Sequence, residues 1–222
     1  MAIIAVTNLK GGTGKSTTTM QLAGTLGLRG FRVLVVDADA KQGSASSWAG
    51  NAPDDRPFPA TVTGVVGDGA KVYRELKALS ADYDFVIVDC PPTRESLING
   101  SILKAADLAL VPVIPSPVDV IATGGTEVLI EEAQAMNPGL RGYFLINQAT
   151  DTTNLARQMM AVLSSFKLPS LKSRLRMRIA YRESCADGGT VFHLGSRGKG
   201  ALDEINALTD EVLGLLHEKA AA

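Results

Sequence analysis

Cysteine is scarce: Cys90 and Cys185 are the two among 222 residues. Two cannot build a disulfide framework or a zinc site, and their wide separation is not the spacing of a redox pair. An excess of one charge is also missing. Lysine and arginine total 22 against 23 acidic residues, a formal net charge of −1, and the isoelectric point is near 6.1. This excludes a uniformly basic nucleic-acid binder but not a basic face balanced by acids elsewhere. No apolar run approaches the ~20 residues of a membrane-spanning helix. The opening Met-Ala-Ile-Ile-Ala-Val-Thr-Asn has neither a basic stretch nor a cleavage site. The expectation is one soluble, cytoplasmic domain over residues 1–222, long enough for a substantial core.

What the chain does have is five short, nearly continuous apolar runs: Ile3–Val6, Val33–Val36, Phe85–Val88, Leu108–Val113 and Tyr143–Ile146. Unbroken rather than alternating, they read as strands covered on both faces. Between them lie helical patterns. One begins near Lys15–Thr19 and stops at Gly30, a second uses Leu155, Met159, Val162, Leu163 and Phe166, and a third runs from Leu202 to Leu216. Strand alternating with helix predicts an α/β, three-layer fold with a mostly parallel, twisted sheet. Residues 51–59, with three prolines, read as an exposed loop, and residues 60–69 as holding one further short strand.

The first strand runs into Lys10-Gly11-Gly12-Thr13-Gly14-Lys15-Ser16-Thr17. The common phosphate-loop pattern needs a glycine where Leu9 stands, so this is a shifted form. The physics survives the shift, because the glycines let successive N–H groups curl round an anion at a helix N-terminus. Lys15 is then placed to neutralise β- and γ-phosphates, and the Ser16 hydroxyl to ligate Mg²⁺. A plain glycine turn does not account for Lys15, since a cation in the first helical turn opposes the helix dipole unless an anion is there. Two further strands end in carboxylates, one in Asp37-Ala38-Asp39 and the other in Asp89-Cys90-Pro91-Pro92. Three aspartates converging on the edge that carries the phosphate loop favour a metal–nucleotide site over isolated helix caps. Cys90 reads as a small packing residue.

Asn147, closing the fifth run, is either a base-edge contact or an ordinary strand-to-loop residue. From Lys167 to Lys199 the bases are Lys167, Lys172, Arg174, Arg176, Arg178, Arg182, Arg197 and Lys199 against Glu183 and Asp187, while the rest of the chain holds 14 bases and 21 acids. Such a patch usually meets phosphate, with a solvated face or dimer ion pairs as the alternative. Arg174, Arg176 and Arg178 alternate, so they share a face if they lie in a strand.

Lys10–Thr17 resembles the deviant Walker A box of the ParA/MinD group of P-loop ATPases, Asp37–Ser44 that group's first switch segment, and Asp89–Pro92 its second. The resemblance implies that Gly11, Gly12, Thr13, Gly14, Lys15, Ser16 and Thr17 bind ATP, with Asn147 on the adenine. It implies that Ser16, Asp37 and Asp89 serve Mg²⁺, that Asp39 orients the attacking water, and that Lys10 reaches the phosphates of a partner in a sandwich homodimer. Val113–Asp119 resembles a proline-rich loop of the dimer face. Residues 178–182 resemble a region that binds DNA without sequence preference, so Lys172, Arg174, Arg176, Arg178, Arg182 and Lys199 are the expected DNA contacts. The implied protein is a small partition-type ATPase without an added DNA-reading domain at the N-terminus. It associates with nucleoid DNA and meets a small cargo-adaptor protein that stimulates hydrolysis. Two alternatives stand beside it. A membrane-associated positioner like MinD needs a basic amphipathic C-terminal helix, whereas Asp210, Glu211 and Glu218 occupy that end. A metabolic ligase or kinase needs a substrate pocket where the basic patch lies.

Overall fold

The computed structural model describes residues 1–39, 42–64, 69, 71–93, 97–150 and 154–221. Residues 40–41 of the first switch-like segment and 65–68 of the expected extra strand lie outside the described residues. The strands are β1 (Ala2–Val6), β2 (Val33–Asp37), β3 (Thr61–Gly64), β4 (Phe85–Asp89), β5 (Leu108–Val113), β6 (Arg141–Ala149) and β7 (Ser170–Arg176). The helices are α1 (Lys15–Leu28), α2 (Ser44–Gly50), α3 (Lys71–Leu79), α4 (Leu97–Ala105), α5 (Pro117–Met136), α6 (Asn154–Leu163), α7 (Ile179–Ala186) and α8 (Lys199–Ala221).

Among the described residues one sheet runs in the order β3-β2-β4-β1-β5-β6-β7, and every neighbouring pair is parallel. Side-chain alternation divides the core into two layers. Ile4, Val6, Val35, Ile87 and Leu110 pack against α1, α7 and α8. Ile3, Ala5, Val36, Val88 and Val111 pack on the opposite side against α3, α4, α5 and α6. This is the expected three-layer α/β sandwich, and all five apolar runs are buried strands.

Three local expectations shift. Ser170–Arg176 is a strand outside the five continuous apolar runs, because only Leu171 and Leu175 are fully buried while Lys172, Arg174 and Arg176 face out. An edge strand covered on one face needs no continuous apolar run. The proline-rich stretch up to Asp119 is not all loop. Ser116 caps α5 by accepting from the Asp119 N–H, and Pro117 opens the first turn, where its missing N–H has no consequence. The helix expected to reach Phe166 ends at Leu163. Phe166 packs beyond it, edge-on against Phe144 with ring centroids 5.7 Å apart.

Three buried polar contacts tie α1 and α2 to the opposite end of the chain. Gln21, fully buried, donates through Nε2 to Ser184 Oγ at 2.8 Å and accepts the Val191 N–H at 3.1 Å. The Trp48 indole N–H reaches the Gly189 carbonyl at 2.9 Å. Gln21→Leu keeps the side-chain size but leaves the Val191 N–H without its acceptor, and it should lower unfolding free energy by about 1–3 kcal/mol in urea titrations.

Candidate nucleotide site

β1 lies at the centre of the sheet between β4 and β5, and the chain leaves it into residues 7–14 and then α1. Chain connections run to both sides from this point, so a crevice opens beyond the carboxyl ends of the strands. The register brings the acids there. Asp37 pairs with Asp89 across β2 and β4, and Val6 pairs with Asp89 across β1 and β4.

A cleft of about 460 Å³ results, lined by Gly11, Gly12, Gly14, Lys15, Ser16 and Thr17 on one wall and by Asp39, Gln42, Ser44, Asp89, Cys90, Pro92 and Gln148 around them. Gly14 has φ +90, and a Cβ there would lie 2.0 Å from Asn147 Nδ2. Only glycine fits both the turn and the approach. The loop is braced at both ends. At its entry Lys10 N–H donates to Asn8 Oδ1 and Leu9 N–H to Thr126 on α5. At its exit Asn147 Nδ2 donates to the Thr13 carbonyl at 2.7 Å.

The charges in the cleft are poorly served by protein alone. The Lys15 ammonium donates to the Lys10 carbonyl at 3.1 Å, and burial lowers its pKa against the pull of Asp89, Cys90 and Asp39. Burial pushes Asp89 up to about 7, although the Ser16 hydroxyl and Lys15 act the other way. Asp89 Oδ1 is buried without a hydrogen-bond partner. An orphaned carboxylate oxygen beside a serine hydroxyl, below an open ring of glycines, fits a hydrated divalent cation and a polyphosphate. No three His, Cys, Asp or Glu side chains gather closely enough to hold a metal by themselves among the described residues. The three expected carboxylates do gather at this edge, where Asp37 and Asp39 both act on Asp89, but their roles differ. Asp37 accepts the Asp39 N–H at 3.2 Å and the Ser46 N–H at 2.9 Å, so it braces the turn into α2, and the cleft wall takes Asp39 and Asp89. Cys90 is a buried packing residue whose thiol is pushed up by burial and by Asp89.

Other expected site residues are placed differently. Thr13 is buried under the loop and contributes its carbonyl to Asn147. Lys10 is ion-paired within its own chain to Asp119 Oδ1 at 2.5 Å, and Asp119 is held in turn by the Ser116 hydroxyl. A second pocket of about 260 Å³ adjoins the cleft, lined by Gly14, Thr17, Asn147 and Gln148 with Arg176, Met177, Arg178, Tyr181, Arg182 and Cys185. Arg178 is not in β7 but precedes α7, and it pairs with Glu204 at 2.7 Å. Arg176 pairs with the same carboxylate at 3.3 Å, Arg197 with Glu183 and Lys167 with Glu131. These four bases of the window are thus partnered, three of them by acids outside it, and the patch is less positive than its sequence implied. Lys172, Arg174, Arg182 and Lys199 are exposed. Reading the sequence placed Asp119 at the end of the expected dimer-face loop without its tie to Lys10, and it missed Gln148, the one non-glycine residue at positive φ among the described residues, at +50. Gln148 stands in no motif spacing.

The CobQ/CobB/MinD/ParA nucleotide binding domain matches residues 4–193. The chain belongs to this family. Its ParA/MinD character is clear in the relatives. Maintenance of carboxysome distribution protein A of Halothiobacillus neapolitanus is 36% identical over 212 residues, 95% of each chain. The cell division ATPase MinD of Pyrococcus furiosus superposes with a TM-score of 0.77 at 24% identity, over 96% of this chain and 99% of that one. The ATP complex of Cyanothece McdA(D38A) gives 0.77 at 20% identity, over 96% of each. The two structural likenesses speak for the fold. The family match and the first relative make this chain a nucleotide-binding ParA/MinD-family positioning ATPase.

The raised pKa has a consequence for stability. The unfolded Asp89 carboxyl ionises near 3.8 and the folded one near 7, so between these values the folded state holds more protons and loses stability as pH rises. In melts without nucleotide or Mg²⁺, Asp89→Asn should gain on the parent protein from pH 5 to about pH 7 and then level off, by at most about 1.4 kcal/mol per unit crossed. The same variant should weaken Mg²⁺-dependent nucleotide binding.

Proposed function

We propose that this ATPase closes as a sandwich homodimer on ATP and Mg²⁺, binds nucleoid DNA without sequence preference, and positions a cargo through hydrolysis stimulated by a small adaptor protein. The cargo classes in view are a plasmid, a chromosome and a protein assembly. The observation that carries the reading is the pair of lysines on one glycine loop, Lys15 buried in the cleft and Lys10 outside it with a side chain 31% exposed and tethered to Asp119. A single phosphate site has use for the first alone. The second has use for a phosphate brought by another chain.

In this reading the N–H groups of Gly11–Thr17 and the Lys15 ammonium hold the triphosphate, and the second pocket takes the base. Ser16 and Asp89 hold Mg²⁺, with Asp37 behind the loop. When bound, the metal neutralises charge on the β- and γ-oxygens. Asp39, on the cleft wall, orients the attacking water. Lys10 leaves Asp119 to reach the partner's nucleotide, so its ion pair competes with dimer closure. Loss of the γ-phosphate releases the segments after β2 and β4, which returns the dimer to monomers. Dimerisation doubles the phosphate contacts on one rigid body and thereby raises DNA affinity through effective concentration. Lys172, Arg174, Arg182 and Lys199 are the contacts best supported by exposure, while Arg176 and Arg178 are committed to Glu204.

Two expected outcomes test this reading. Lys15→Ala should abolish nucleotide binding, while Lys10→Ala should retain it and lose ATP-dependent self-association in light scattering. A Lys10→Ala protein that still dimerises with ATP removes the trans role. Binding to unrelated duplexes should need ATP and fall steeply with salt. Arg182→Glu should weaken it alike on all sequences and reduce the salt slope by about 0.9 for each DNA phosphate that is no longer neutralised. Equal affinity with ADP and ATP would dismiss the DNA reading.

A further inference from the structure

The corner between β7 and α7 forms one wall of the pocket beside the phosphate loop, and its shape depends on a carboxylate from a distant helix. Glu204 of α8 has a side chain only 7% exposed, yet five donor groups converge on it. Its Oε1 accepts from Arg178 Nε at 2.9 Å and Nη2 at 2.7 Å, and from Arg176 Nη1 at 3.3 Å. Its Oε2 accepts the Arg176 N–H at 3.0 Å and the Tyr181 hydroxyl at 3.1 Å. Burial alone raises a carboxyl pKa, but these donors outweigh it and hold Glu204 below its usual range. The group is therefore ionised, and a buried ionised carboxylate saturated with donors is a rigid joint.

Every residue bound by this joint borders the pocket. Arg176, Arg178 and Tyr181 line it together with Gly14, Thr17 and Gln148, which belong to the phosphate side. The Arg178 guanidinium lies against Gly200, where a Cβ would come within 2.6 Å of Nη1. Seven residues further along α8, Glu211 accepts the Lys172 and Ser173 N–H groups at 2.8 Å each. That second clamp holds the same strand to the same helix, away from the pocket.

We propose that Glu204 is a positioning residue for the nucleotide base: it sets the Arg176–Tyr181 wall against which the base packs, and so makes affinity for ATP depend on α8. The inference rests on the reading that the second pocket takes the base. It requires that Glu204 act on the base and not on the phosphates, whose contacts come from residues 11–17 on the other side. Glu211, with an equal structural share in β7, has no such effect.

The test compares ATP with inorganic tripolyphosphate, which has the phosphates and no base, by calorimetry on the full chain. In the parent, ATP should bind more tightly than tripolyphosphate. Glu204→Gln should raise the Kd for ATP about tenfold, equivalent to 1.4 kcal/mol, and leave that for tripolyphosphate unchanged. KM for ATP should rise with kcat preserved. Gly200→Ala, which displaces the Arg178 guanidinium without touching the carboxylate, should reproduce the selective loss even if Glu204→Gln fails to fold. Glu211→Gln should bind both ligands as the parent does. Parallel weakening of both ligands, or undiminished ATP affinity in the two pocket variants, overturns the proposal. A parent that binds ATP no better than tripolyphosphate instead overturns the base-pocket reading itself, and the role of Glu204 falls with it.

Discussion

An ammonium and a carboxylate, Lys15 and Asp89, lie buried within one cleft, and the surrounding structure keeps them there only partly satisfied. Removing a charge from water is expensive unless it is paired or solvated by fixed dipoles. Here the lysine is lowered by burial and the carboxyl is raised to about 7, so each is held in a state that a polyphosphate and a divalent cation relieve. The sheet supplies the constraint. Residues from β1, β2 and β4 are registered so that their ends meet, and two apolar layers beneath prevent the acids from moving away.

The same cleft is braced by side chains that no longer have freedom to do other chemistry. Asn147 illustrates this. Its amide supports the loop through the Thr13 carbonyl and its oxygen accepts the Gln148 N–H, so its part in the site begins as scaffolding. Asp37 likewise spends both oxygens on the backbone of the segment that follows β2. Cleft, loop and switch-like turns are thus mechanically continuous, which is the arrangement a nucleotide-dependent change of shape requires. The exit side continues further, through β7 and Glu204 to α8. The entry side continues through Asp119 to α5.

The basic patch has a different character once folded. In the sequence it is eight bases and two acids. In space Glu131 and Glu204, which lie outside that window, reach into it, and Arg176 and Arg178 turn toward the nucleotide side. Charge density along a chain and charge density on a surface differ because acids remote in sequence neutralise selected positions. The exposed cations Lys172 and Arg174 sit on the outward face of β7, whose alternation was readable from its residues.

The sequence alone determined the fold class and the phosphate loop. Continuous apolar runs demand burial on both faces, and glycines beside Lys15 at a strand-to-helix junction have one strong chemical use. Those are local properties, dictated by a few consecutive residues. Tertiary structure alone decided that Asp37 braces while Asp89 faces the cleft, that Lys10 rests on Asp119, and that Gln148 adopts a left-handed backbone between two pockets. It also decided that Glu204 holds the wall of the second pocket. Each of these is a contact between residues apart in the chain, or an orientation set by packing, and no periodicity or spacing encodes which partner a side chain meets.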